Sequence, residues 1–128
     1  MPLPADERTC PAGSTPHITF TLRNTALTAI PLTSMVSLAV TLWDEATGYK
    51  IRDGLDILNA NNGTMDATTG EVVWYLQVAD TTLLSPDPDV PKETRRFVIA
   101  FSWTESARTY IHYEPAWYYI VNPYAGAT

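Results

Sequence analysis

Through most of this chain hydrophobic and polar residues alternate with a period of two, which is the period of a strand with one buried face. Ile18, Phe20 and Leu22 alternate with His17, Thr19, Thr21 and Arg23, which predicts a first half-buried strand. Val36, Leu38, Val40 and Leu42 then alternate with Ser37, Ala39, Thr41 and Trp43. The turn Asp44 to Gly48 follows, and Tyr49 to Arg52 returns as a short third strand ending at Asp53-Gly54, so the pair reads as a hairpin. Leu55, Ile57 and Leu58 suggest a fourth strand before a turn crowded with Asn59, Asn61, Asn62 and Gly63.

After the turn Thr68-Thr69-Gly70, Val72, Trp74, Leu76 and Val78 alternate with Val73, Tyr75 and Gln77. Asp80 is placed to cap a short helical turn through Thr81, Thr82 and Leu83, which Pro86 and Pro88 stop. The clearest strand runs from Arg95 to Trp103, with Phe97, Ile99, Phe101 and Trp103 on one face. A polar turn, Thr104 to Ala107, leads to a last strand from Thr109 to Val121, expected to break or bulge at Pro115.

About seven strands with regularly spaced turns predict an all-β fold: an antiparallel two-sheet sandwich. Residues 1–15 carry Pro2, Pro4, Pro11 and Gly13 and little to bury, which predicts an extended N-terminal arm. The sandwich then occupies residues 16–122, and 123–128 form a C-terminal tail. Val72 to Val78 and Trp117 to Val121 are largely apolar or aromatic on both faces. A strand of that kind is either central to a larger assembly or covered by a partner.

Composition narrows the picture. At 128 residues, 45% of them hydrophobic and 17% charged, the chain suits one domain with a core of its own. The net charge of -6 repels phosphate backbones, so nucleic acid is not an expected partner. Arg95 and Arg96, the adjacent basic pair, read as solvating the end of an apolar strand. Cys10 is the single cysteine, which leaves no internal disulfide and no cysteine metal cage, and it reads as an incidental residue of a loose arm. No apolar run reaches the roughly 20 residues that span a bilayer, and the first residues lack the basic leader and apolar stretch of a secretory signal, so no membrane association is expected and the protein is expected to be made in a cytosol.

Candidate chemistry is sparse. His112 and Glu114 share one face of the last strand, but zinc normally takes three or four protein ligands and only His17 remains as a second histidine. Asn59 to Asp66 resembles a calcium loop in composition without its alternating oxygen ligands or its distant glutamate. No serine has a nucleophile-elbow context, and no glycine-rich phosphate loop is present. These readings predict no catalytic residues, no cofactor and no metal site, hence not an enzyme. The aromatics are the remaining candidates. Tyr110, Tyr113, Trp117, Tyr118, Tyr119 and Tyr124 crowd the last strand, more rings than one buried face holds, and they are the candidate interface residues.

One resemblance joins these features. The strand ending Leu42-Trp43-Asp44, the turn Glu45-Ala46-Thr47-Gly48, the Asn/Gly-rich link, Thr69-Gly70-Glu71-Val72-Val73-Trp74-Tyr75-Leu76, Ala79-Asp80-Thr81 and Phe101-Ser102-Trp103 resemble the immunoglobulin-like sandwich domains of tailed-bacteriophage virion proteins. The likeness covers roughly residues 16–122 and lacks the cysteine pair of antibody domains. It implies a non-enzymatic virion part of a baseplate, neck, tail fibre or capsid decoration, docking to other virion proteins in several symmetric copies. The alternative expectation is a carbohydrate-binding module that recognises a cell-surface glycan through Trp117, Tyr118 and Tyr119.

Overall fold

A computed structural model describes residues 9–87 and 89–123. It is an all-β sandwich of a five-stranded and a three-stranded sheet. The strands are β1 (Thr9–Pro11), β2 (His17–Thr21), β3 (Met35–Asp44), β4 (Lys50–Asp56), β5 (Gly63–Met65), β6 (Glu71–Tyr75), β7 (Lys92–Glu105) and β8 (Arg108–Val121), with a short helix α1 (Val78–Thr81). The large sheet runs β1-β8-β7-β3-β4 and the small one β2-β6-β5.

The core lies where alternation places it. Leu38, Val40 and Leu42 of β3, Phe97, Ile99, Phe101 and Trp103 of β7, and Ile18, Phe20, Val72 and Trp74 of the small sheet are all buried. Trp74 meets Phe97 edge-on at 6.3 Å between ring centroids, which ties the sheets together at their centre. β6 is the middle strand of the small sheet; Val72 and Trp74 face the core, while Val73 is half-buried and Tyr75 exposed on its outer face. Gly70 turns the chain into β6 with φ 74°, and a Cβ there would stand 2.6 Å from the Leu22 carbonyl oxygen.

Several boundaries differ from expectation. β4 continues past Asp53 to Asp56, with Gly54 at φ 65° absorbing a register shift against β3. The predicted fourth strand is not a strand of its own: Leu55 ends inside β4, and Ile57 leaves the sheet yet is fully buried. Asp80 is the third residue of α1 rather than its cap, and its carboxylate accepts from the Gln77 N–H at 2.7 Å. Nor does Pro115 break β8, whose pairing with β7 is continuous from Arg108 to Val121. Among the described residues β1 pairs with the other side of β8 at Tyr119–Val121 alone, and none pairs with Pro115 on that side.

The N-terminal stretch also needs correction. Thr9–Pro11 pairs in parallel with β8, an exception to the antiparallel pattern, and Cys10 is buried beneath it. Ala12 and Gly13 donate to the carbonyls of Val121 and Thr81, so the chain is part of the sandwich before residue 16. Residues 1–8 and 124–128 of the predicted arm and tail lie outside the described residues.

Candidate functional site

β8 carries most of the candidate rings, and its pleat sorts them. Ala116, Tyr118 and Ile120 are buried, so the even-numbered residues face the small sheet and the odd-numbered ones face outward. Tyr113 is 63% and Ile111 66% exposed on the outer face. Trp117 lies beneath the Arg96 guanidinium at 5.4 Å, and Tyr119 beneath the Lys92 ammonium at 4.5 Å. Trp43 pairs with Arg96 across β3 and β7, so Trp43, Arg96 and Trp117 form one row across the sheet. The rows beyond it are Thr41-Val98-Pro115, Ala39-Ala100-Tyr113 and Ser37-Ser102-Ile111. Arg96 is the one charged side chain in these four rows.

Two of the predicted interface tyrosines are placed elsewhere. Tyr118 turns inward, is buried, and donates to the Asp80 carbonyl at 2.8 Å, so its ring is core. Burial then pushes its hydroxyl pKa upward, with Asp80 adding to the shift. Tyr110 also faces inward and stacks on Trp103 at 5.5 Å with an 18° tilt. Tyr124 lies outside the described residues.

Three strands cannot cover five. Among the described residues the inner face of β8 is only partly covered, and a groove of about 690 Å³ lies between β8 and β2. Its floor is Phe97, Ile99, Phe101 and Trp103; His112 and Glu114 stand on the β8 wall. His112 and Glu114 do meet, at 3.0 Å, with the imidazole edge-on to Phe101. His17 packs instead against Tyr75 on the outside of the small sheet, and among the described residues no three His, Cys, Asp or Glu side chains group as metal ligands. The loop after β2 closes one end of the groove, where Asn24 donates to Glu105 at 3.0 Å.

Sequence reasoning missed three features of this groove. Trp103 is 3% exposed, yet its indole N–H meets no acceptor among the described residues. Leu27 lines the groove, is 75% exposed, and holds φ 63°, a left-handed backbone that leucine rarely adopts. The Asn24 Oδ1, accepting from the Ala26 and Thr28 N–H groups, fixes that turn. Finally, β2 is an edge strand on the groove side. The Leu76 N–H to Pro16 carbonyl and Leu22 N–H to Gly70 carbonyl bonds set which residues face β6. Alternation then turns the backbone groups of His17 and Thr19 away from β6, where no strand pairs with β2 among the described residues.

At the far end of β7, Arg95 is fully buried, which corrects its reading as a solvated strand end. Its Nη1 donates to Asp44 at 2.7 Å, and its Nη2 donates to Glu93 at 2.9 Å and to the Thr82 carbonyl at 2.8 Å. Arg52 meets Asp80 nearby at 2.7 Å. Burial pushes the Glu93 pKa up, but the N–H groups of Leu84 and Ser85 and the Arg95 charge outweigh it and hold it below its ordinary value. Cys10 has its thiol pKa raised by burial, so the thiolate is disfavoured. The Asn-rich turn is explained by backbone geometry: Asn59, Asn61 and Asn62 all have positive φ, and Asn59 Oδ1 accepts from the Met65 N–H.

No protein-family model, no curated protein and no solved structure matches this chain.

Proposed function

We propose that this chain is a non-enzymatic structural module of a tailed-phage virion. It docks to other capsid, neck or tail proteins, in several symmetric copies, through the outer face of the five-stranded sheet. The observation that carries the reading is the low charge at the centre of that face: across β3, β7 and β8, Ile111 and Tyr113 stand exposed beside rows of Ala, Ser, Thr, Val and Pro interrupted only by Arg96, with Lys50 and Asp56 of β4 and Lys92 of β7 at the border. Protein contacts favour such surfaces, with aromatic rings and arginine at the centre and acidic residues and lysine depleted. The strand-and-turn resemblance to virion sandwich domains supplies the setting. Ile111→Asp with Tyr113→Asp should abolish incorporation into the particle while leaving the thermal transition in place. Equal incorporation would sink the reading.

A second reading rests on the Trp43-Arg96-Trp117 row, whose rings and guanidinium form a platform of the kind that stacks on sugar rings. Glycan-array binding lost on Trp117→Ala, with folding intact, would favour a carbohydrate-binding module.

A further inference from the structure

β8 is a strand of 14 residues, yet among the described residues β1 pairs with its far side at Tyr119–Val121 alone. The Ala12 N–H donates to the Val121 carbonyl, so Val121 turns its backbone groups toward β1. Alternation then aims the N–H and C=O of Thr109, Ile111 and Tyr113 away from β7 on that same side. We propose that this edge pairs with the same edge of a second copy, antiparallel about a two-fold axis at Ile111, so that two five-stranded sheets join into one. The proposal concerns how copies of this chain meet and does not rest on the virion reading.

The two edges of the large sheet are built differently. β4 carries Lys50, Arg52, Asp53 and Asp56 and is broken by register shifts, which is how an edge is guarded against added strands. β8 has no register shift against β7, and it presents Ile111 and Tyr113, both exposed. Its charges then choose the occupant. With Ile111 opposite the partner's Ile111, Thr109 meets the partner's Tyr113 and Arg108 meets the partner's Glu114. The two-fold axis makes each of these matches twice. Arg108 is exposed and makes no ion pair among the described residues; Glu114 meets His112 through Oε2 and keeps Oε1. Neighbouring registers lose the match. An axis at His112 sets the two imidazoles against each other and Thr109 against Pro115, which has no N–H to give. An axis at Tyr110 sets Arg108 against His112. In the proposed register Pro115 falls opposite Ala107, in the hairpin turn, where no ladder is left to break. The chain's own first residues suit this edge poorly. The register of β1, carried back along the sequence, puts Pro4 and Pro2 where N–H donors to β8 are needed.

Sedimentation velocity and amide exchange on the full chain, across a concentration series, test the proposal. The mass should double as concentration rises, and exchange at Ile111 and Tyr113 should slow by about tenfold in the heavier species. Ile111→Pro removes the central outward donor and should abolish dimerisation while β7 and β8 stay paired, as they do at Pro115. If that variant does not fold, the charges carry the test. Arg108→Glu or Glu114→Arg should each weaken dimerisation about tenfold, and the two together should restore it. Both residues lie on the inner face of β8, so these variants leave the outer docking face intact. A chain that is monomeric at every concentration would overturn the proposal. So would a dimer indifferent to Ile111→Pro and to the charge reversals, since its contact would lie elsewhere. Slow exchange at Ile111 and Tyr113 in a monomer would give the edge to the chain's own N-terminus and overturn it equally. A dimer that fails to enter the particle would sink the virion reading alone, and a monomer that enters it would sink this one alone.

Discussion

Where β7 begins, Arg95 is fully buried and three acceptors take its guanidinium; where β7 ends, Trp103 is almost as buried and its one donor meets none among the described residues. Both residues face the core from the same strand, and the alternation that buries them is the same. The difference lies in what each group would lose. An unpaired buried guanidinium is intolerable, so Asp44, Glu93 and the segment around Thr82 close over it and that end is sealed. An orphaned indole N–H costs only about 1–3 kcal/mol, which a fold can carry. Arg95 keeps one orphan too, its Nε, but two well-bonded nitrogens accompany it. The charged end is thus complete in the isolated chain, while the aromatic end is stable with its indole donor unmet.

The largest effect should come from breaking the sealed end. Arg95→Met leaves two buried carboxylates without their cation and should destabilise by about 3–5 kcal/mol in urea unfolding. Removing the carboxylates as well, with Asp44→Leu and Glu93→Leu, should recover much of that loss, because the desolvation of all three charges disappears together. A single-mutant loss under about 1 kcal/mol would mean the network is solvated, and the contrast with the groove would fall.

Acid probes the same end without mutation. Folding lowers the Glu93 pKa, and a carboxyl lowered by folding stabilises the fold above its unfolded pKa. That stabilisation disappears as pH falls through the lower, folded value. Unfolding free energy should therefore hold steady above pH 5 or so and decline below the ordinary carboxylate value of 4.5. Asp66 extends the decline, since the N–H groups of Thr68 and Thr69 bring it from 3.8 to about 2. Stability measured by urea at stepped pH should keep falling to about that point, and a curve flat through this window would contradict the assignment. A smaller effect is expected at Tyr118→Phe, which strands the Asp80 carbonyl and should cost about 1 kcal/mol.

The contrast between the ends also explains what the sequence disclosed. Period-two alternation found β2, β3, β6, β7 and β8 and their buried faces, because burial on one side of a sheet imposes that period on any sequence. Arg95 was misread because alternation reports which face a residue occupies and not what waits there: the acceptors Asp44 and Thr82 come from distant parts of the chain. Cys10 and β1 were missed for the same reason, since their partner Tyr119–Val121 lies over a hundred residues away and three residues carry no period. Among the rings, Tyr113, Trp117 and Tyr119 sit on the outward face of β8. Tyr118 and Tyr110 differ from them only by one place in the pleat, so counting aromatics could not separate them. The groove left no trace in the sequence because it arises from the unequal widths of two sheets.

The finest test of the comparison is Trp103→Phe in the chain alone. The ring stacks between Phe101 at 5.6 Å and Tyr110 at 5.5 Å, and phenylalanine keeps part of that packing while removing the orphaned donor. Lost ring area should destabilise, and release from an unsatisfied polar group should stabilise, each by about 1 kcal/mol. We therefore expect the urea midpoint to stay nearly where it is, although truncating a buried tryptophan in an ordinary core costs several times more. A loss of about 3 kcal/mol or more would mean that the indole N–H is already bonded within the fold. The aromatic end would then be as complete as the sealed one.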